Sequence, residues 1–306
     1  MRTRGGYPSA AATLAGVEVL PVCTWQARRA AHEQRVDAAV GPHLERARSG
    51  AGHPVHDFLF TYYSHRPAQL RRWHPGAGVA LAGAPPHEAW PGYVTGPSGV
   101  SADLSPLAGR RGDTVRFIAD LLRRTAQRPP FLGCFGLHEW AMVYRQTADE
   151  VRHAAWPLRL GAAGVATVVE AGPLRCTHYD AFRFFTPPAR PLNVGTPTRD
   201  AAPDLEQPGC LHANMDLYKW AYKLTPFVPS ELVADCFDLA RDVRELDMRA
   251  SPYDLRRLGY EPVMIETDAG KAAYVAAQRA FALRAQPLRA ELAETCERVL
   301  ALASRA

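Results

Sequence analysis

No stretch of this chain approaches the roughly 20 consecutive apolar residues that a membrane-crossing helix needs, so no membrane partner is expected. Paired cysteines are missing too. Cys23, Cys134, Cys176, Cys210, Cys236 and Cys296 are scattered without a CxxC pair, in a chain too long to need disulfide staples. Reduced thiols in a cytoplasm are expected. Zinc-finger cysteine spacing, HExxH, GxSxG, a Walker loop and GxGxxG are absent, which removes many enzyme classes. No internal repeat is visible. Arg2 and Arg4 precede an Ala-rich stretch, but Glu18 interrupts it and no small-residue cleavage site follows. Residues 1–23 are therefore read as a disordered extension and not as a signal peptide.

What is present is ordinary globular material: 306 residues, 47% hydrophobic and 22% charged. That is enough for a large core, and residues 24–306 are expected to form a single domain. A formal charge of +5 favours an anionic partner, DNA being the natural one, although an arginine-rich composition also follows from a GC-rich genome.

Hydrophobic periodicity predicts a mainly α fold, a single helical domain with proline-rich loops and at most a few short strands. Thr24 is placed to cap a helix to about Ser49, with Trp25, Ala30 and Val36 inward. A short aromatic helix is expected over Pro54–Tyr63. Residues 66–111, rich in proline and glycine, predict a loop-built covering segment without regular core elements. Asp113 opens a helix that Pro129 and Pro130 stop. Phe131–Tyr144, apolar on all sides, predicts a buried helix. The β-branched cluster Val165, Thr167, Val168 and Val169, and the segment Cys176–Phe185, could give two short strands. Further helices are expected over Asn214–Leu224, over Glu231–Ala250 capped by Ser230, and from Thr267 or Asp268 to Ala303 unless Pro287 kinks it.

Ionisable groups fall where the pattern predicts burial: His138 with Glu139, His178 with Asp180, His212 with Asp216, and Asp247. An unpaired buried charge costs several kcal/mol, about 3 or more, so each must find a partner or a metal. His212 and Asp216, four apart, share a helical face with Trp220 following. Adjacent helical residues diverge by roughly 100 degrees, so His138 and Glu139 cannot both aim at one point. Glu139 is the better functional candidate, because its apolar flanks would raise its pKa. In an extended chain His178 and Asp180 lie on one side and Tyr179 on the other. Each pair also has a purely structural reading, such as Asp216 with Lys219, or Glu139 with Arg145, Arg175 or Arg183. His53, His56 and Asp57 are further candidates whose simpler reading is helix capping.

The segments His53–Tyr63, Gly133–Trp140, Cys176–Phe185 and Pro208–Leu224 resemble those of an actinobacterial family catalogued as 3-methyladenine DNA glycosylases, over about Trp25 to Leu292. The LPGxG-like hairpin of helix-hairpin-helix glycosylases is absent. The resemblance implies a DNA repair enzyme without a cofactor that flips an alkylated adenine into an aromatic pocket. Trp140, Tyr144, Tyr179, Phe182, Tyr218 and Trp220 would supply that pocket with Arg183 beside them. Asp216, Asp180 or Glu139 would be the carboxylate that stabilises the sugar cation or activates water, with His212 and His178 close by. Two other readings stay open. One is a metal-dependent enzyme holding non-haem iron or another divalent metal on Glu139, His178, Asp180, His212, Asp216 and Asp247. The other is a non-catalytic binding protein in which these groups are structural.

Overall fold

The computed structural model describes residues 12–14, 17–147, 150–151, 155–172 and 174–305. In chain order the elements are strands β1 (Ala12–Leu14) and β2 (Val17–Leu20), helices α1 (Val22–Ser49), α2 (Phe58–Tyr62) and α3 (Pro67–Leu70), and strands β3 (Val79–Leu81), β4 (Tyr93–Gly96) and β5 (Gly99–Ala102). Helices follow to the end: α4 (Arg110–Gln127), α5 (Leu137–Ala141), α6 (Gly161–Glu170), α7 (Tyr179–Phe182), α8 (Ala202–Leu205), α9 (Leu211–Lys223), α10 (Ser230–Ala250) and α11 (Asp268–Ala303). The fold is mainly α, as the periodicity predicts.

The centre is built from α9 and α10, which pack on each other most extensively, with α11 against both and against α4. Val233, Phe237, Ala240 and Val243, the expected stripe of α10, are all buried, and Asp247 lies on the same face with no exposure. Thr267 caps α11 by accepting from the Gly270 amide, and the helix runs through Pro287.

Several expectations are corrected. Residues 12–14 and 17–20 of the expected extension are strands, while residues 1–11 and 15–16 lie outside the described residues. The proline-rich 66–111 segment holds three strands, and together these make a sheet in the order β1-β2-β3-β5-β4, parallel only between β2 and β3. A small second core of Leu20, Trp25, Trp73 and Leu81 fixes it to the first turns of α1. Thr24 does not cap α1, which begins at Val22 after Pro21, and Ala30 is exposed while His32 takes its place inward. Nor does Ser230 cap α10: its hydroxyl donates to the Arg72 carbonyl and accepts from the His74 amide.

Only Leu137–Ala141 of the expected Phe131–Tyr144 helix forms, because Phe135 and Gly136 adopt left-handed backbone conformations. The β-branched cluster is not a strand either. Val165 and Val169, four apart, are the buried edge of α6 packed near α5, so tertiary burial overrides strand preference. His178 precedes α7, and Asp180 lies within it, so the two do not share an extended edge.

Candidate active site

Five short segments converge beneath the surface. Helix α5 presents His138 and Glu139, α10 presents Arg244 and Asp247, and α9 presents His212, Asp216 and Lys219. Helix α7, with His178 before it, adds Asp180, and α2 with its following residue adds Phe58, Tyr62 and Tyr63.

The inner group is closed to solvent. His138 Nε2 lies 2.7 Å from Asp247 Oδ1, and Arg244 Nη1 donates to Asp247 Oδ2 (2.9 Å) and to Glu139 Oε1 (3.0 Å). Arg244 is thus the partner of Glu139, in place of Arg145, Arg175 or Arg183. Its guanidinium lies over the Phe58 ring at 3.8 Å. Burial works against the charge of Asp247, but His138 and Arg244 outweigh it and hold the carboxyl low. Burial, with the Asp247 charge beside it, pushes Glu139 up. The His138 ring stands edge-on to His212 at 4.5 Å, and His212 lies 5.5 Å from His178. Burial, reinforced by His138, keeps His212 neutral.

The outer group centres on Asp216. It accepts from Tyr63 (3.0 Å), from His178 Nε2 (3.1 Å) and from Lys219, its structural partner. Lys219 also donates to Asp180 (3.0 Å), which Arg183 approaches at 3.0 Å. Glu206 stands 3.6 Å from His178, and the other imidazole nitrogen of His178 is buried without a hydrogen-bond partner among the described residues. Despite burial, Lys219 and His178 hold Asp216 well below the usual carboxylate range, and Asp216 raises both of them in return.

This outer group forms the floor of a cleft of about 630 Å³, lined by the rings of Tyr62, Phe117, Tyr179 and Trp220 and by the cations Arg183, Arg199, Lys219 and Lys223. The ring faces already receive cations: Lys219 lies 4.4 Å from the Trp220 ring and Arg199 5.6 Å from that of Tyr179. Tyr62 and Asp180 also line a smaller cavity of about 30 Å³, room for one water, which reaches inward to Glu139, His212 and Arg244. A larger apolar cleft of about 770 Å³ around Phe131, Phe135, Leu160 and Val168 has none of these histidines or carboxylates in its lining.

Of the aromatics expected in a pocket, Tyr179 and Trp220 line the cleft, as does Arg183. The others do not. Trp140 is fully buried and donates to the Ala250 carbonyl, Phe182 packs on Phe185, and Tyr218 lies in the core against Tyr63, Tyr222 and Phe237. Tyr144 bonds Glu170 away from the cleft. Sequence reasoning missed Tyr62, Phe117, Arg199 and Lys223; the aromatic run before Tyr63 was a signal for the first of these. His56 pairs with Tyr260, and Asp57 with His43, Arg46 and the His53 amide, so these residues are tied into the structure away from the cleft and their side chains do not cap α2. The six expected metal ligands do not meet at one point. Asp216 and Asp180 hold Lys219, with His178 on Asp216, while His212 and Asp247 face His138. Compared with protein-family models, curated proteins and solved structures, the chain matches none. Among the described residues, no helix is long and apolar enough to cross a membrane.

Proposed function

We propose that the chain hydrolyses the N-glycosidic bond of an alkylated adenine in DNA, with the cleft as its active site. The observation that carries this reading is a single cleft joining cation-facing aromatic rings, a basic rim and a carboxylate, Asp180, that Lys219 and Arg183 hold in its lining. An alkylated adenine is cationic and leaves readily: the C1′–N bond breaks, its electron pair neutralises the base, and positive charge passes to the sugar. Electron-rich ring faces suit the cationic base, and Arg183, Arg199 and Lys223 suit the phosphates on either side of it.

Asp180, about one-fifth exposed, is the carboxylate set against the sugar cation. It would also accept a proton from the water that adds to C1′. Asp216, nearly without exposure and already bonded to three donors, serves as a positioning residue that holds Lys219 and His178. A reducing cytoplasm suits this enzyme, since all six cysteines are free.

The test is release of 3-methyladenine from alkylated duplex DNA under single turnover. Asp180→Asn is expected to slow release about 100- to 10,000-fold, the usual cost of losing an acid–base group. Trp220→Ala is expected to weaken substrate binding by about 1–3 kcal/mol, the worth of one base-stacking ring. Failure of the unaltered protein to release any alkylated base would overturn the reading. Saturable DNA binding without release would favour a binding protein.

A further inference from the structure

Among the described residues, His138, His212 and Asp247 place three ligand atoms within 4.8 Å of one another, and all three side chains are buried. This set differs from the ligands that the sequence suggested, because it needs His138 and excludes Asp180 and Asp216. Three elements supply it: α5 brings His138, the first turn of α9 brings His212, and the last turn of α10 brings Asp247.

A second, independent feature points to a ligand. The His212 ring makes no hydrogen bond among the described residues, although the residue is only 6% exposed. It lines the 30 Å³ cavity together with Glu139. Buried polar groups are almost always paired, and an imidazole without a hydrogen bond beside two further histidines is placed to donate a lone pair.

We propose that His138, His212 and Asp247 hold one divalent transition-metal ion of the zinc or iron(II) kind, at a point where His212 borders the small cavity. Two imidazoles and a carboxylate are the donor types that such ions prefer over magnesium or calcium. Arg244 engages only Asp247 Oδ2, so Oδ1 stays on the histidine side. Asp247 and Glu139 put two carboxylates beside Arg244, and His138 gives up the proton that it shares with Asp247 when it takes the ion. With metal–ligand bonds of about 2.1 Å, neighbouring ligand atoms stand roughly 3 to 3.5 Å apart, so closure asks for side-chain shifts of about 1 Å. The proposal goes beyond the glycosidic reading and does not depend on it.

The test uses untagged full-length protein stripped with a chelator and titrated with Co²⁺, followed by visible absorption, and then with Zn²⁺ in competition with a chromophoric chelator. One equivalent per chain is expected to bind. His212→Gln is expected to weaken binding by more than about 100-fold, because loss of a mere outer partner already costs about 10- to 100-fold. Since His212 makes no hydrogen bond to lose, this variant is expected to keep the denaturation midpoint of the metal-free protein. Asp247→Asn gives a second reading of the same loss, and His178→Gln is expected to keep binding within about 10-fold. No binding by the unaltered protein, or unchanged affinity in a folded His212→Gln variant, would overturn the site. Base release is measured separately, so the two proposals fail separately.

Discussion

Asp216 is held from three sides. Three donors from three segments satisfy its oxygens, and its charge offsets an ammonium group that is itself largely buried. Asp216→Asn keeps the shape but removes the charge, leaving Lys219 with Asp180 alone. A destabilisation of about 3–5 kcal/mol is expected, the usual cost of stranding one member of a buried pair. Asp180→Asn, at a partly exposed position, is expected to cost under about 1 kcal/mol. Urea denaturation of both variants checks this, and equal losses would contradict the division of roles. The sign with pH follows. Because the folded pKa of Asp216 is depressed, its contribution is full above the ordinary carboxylate value and is lost as pH falls through and below it. The sequence showed that His178, His212, Asp216 and Asp247 were buried, since each interrupts an apolar pattern. It did not show which would meet. His138 and Glu139 diverge on their helix, yet His138 reaches Asp247 directly and Arg244 is long enough to join Glu139 to the same carboxylate. Trp140 and Tyr218 read in sequence like pocket aromatics because a ring in a buried helix has the same signature whether it faces a ligand or the core.

At the scale of elements, α5 is too short to hold its position by helix formation alone. Three side chains tie it to α10, His138 to Asp247, Trp140 to the Ala250 carbonyl and Glu139 to Arg244, whose side chain is only 2% exposed. Arg244→Met fills similar volume but leaves two carboxylates facing each other. A loss of about 3–5 kcal/mol is expected. Adding Glu139→Gln is expected to recover part of it, because the repulsion then disappears. A double variant no more stable than Arg244→Met would show that the bridge does not join the two helices. The long helices α1, α4, α10 and α11 were legible because a 3.6-residue period over many turns outweighs single exceptions, and because Pro129 and Pro130 mark an end that no tertiary contact can override. The sheet was not legible. Its strands are three or four residues long and lie among glycines that serve the pairing itself: a Cβ on Gly99, at φ +114°, would fall 2.3 Å from the Leu81 carbonyl oxygen. Read from sequence, such a glycine marks a loop.

Taken whole, the molecule buries an unusual set of histidines of two opposite kinds. His138 and His178 face carboxylates, which raise them despite burial, so each adds stability that is present below the unfolded value of about 6.5 and fades as pH rises through its folded value. His65 is the reverse case. It is 7% exposed, stacked on Tyr222 at 4.6 Å and 14° and edge-on to Tyr218, and burial holds it down to about 4. The unfolded chain takes up its proton near 6.5, whereas the folded chain refuses it until about pH 4. Stability is therefore lost as pH falls between those values and is level below them. At pH 5 this amounts to about 2 kcal/mol relative to pH 7.5 from His65 alone. His65→Phe preserves a flat ring against Tyr222 and removes the titration, so its denaturation midpoint is expected to fall less between pH 7.5 and 5 than that of the unaltered protein. The comparison isolates His65, because the other histidines are common to both proteins. If both lose the same stability over that interval, His65 is protonated in the folded chain and the ring stack on Tyr222 tolerates its charge.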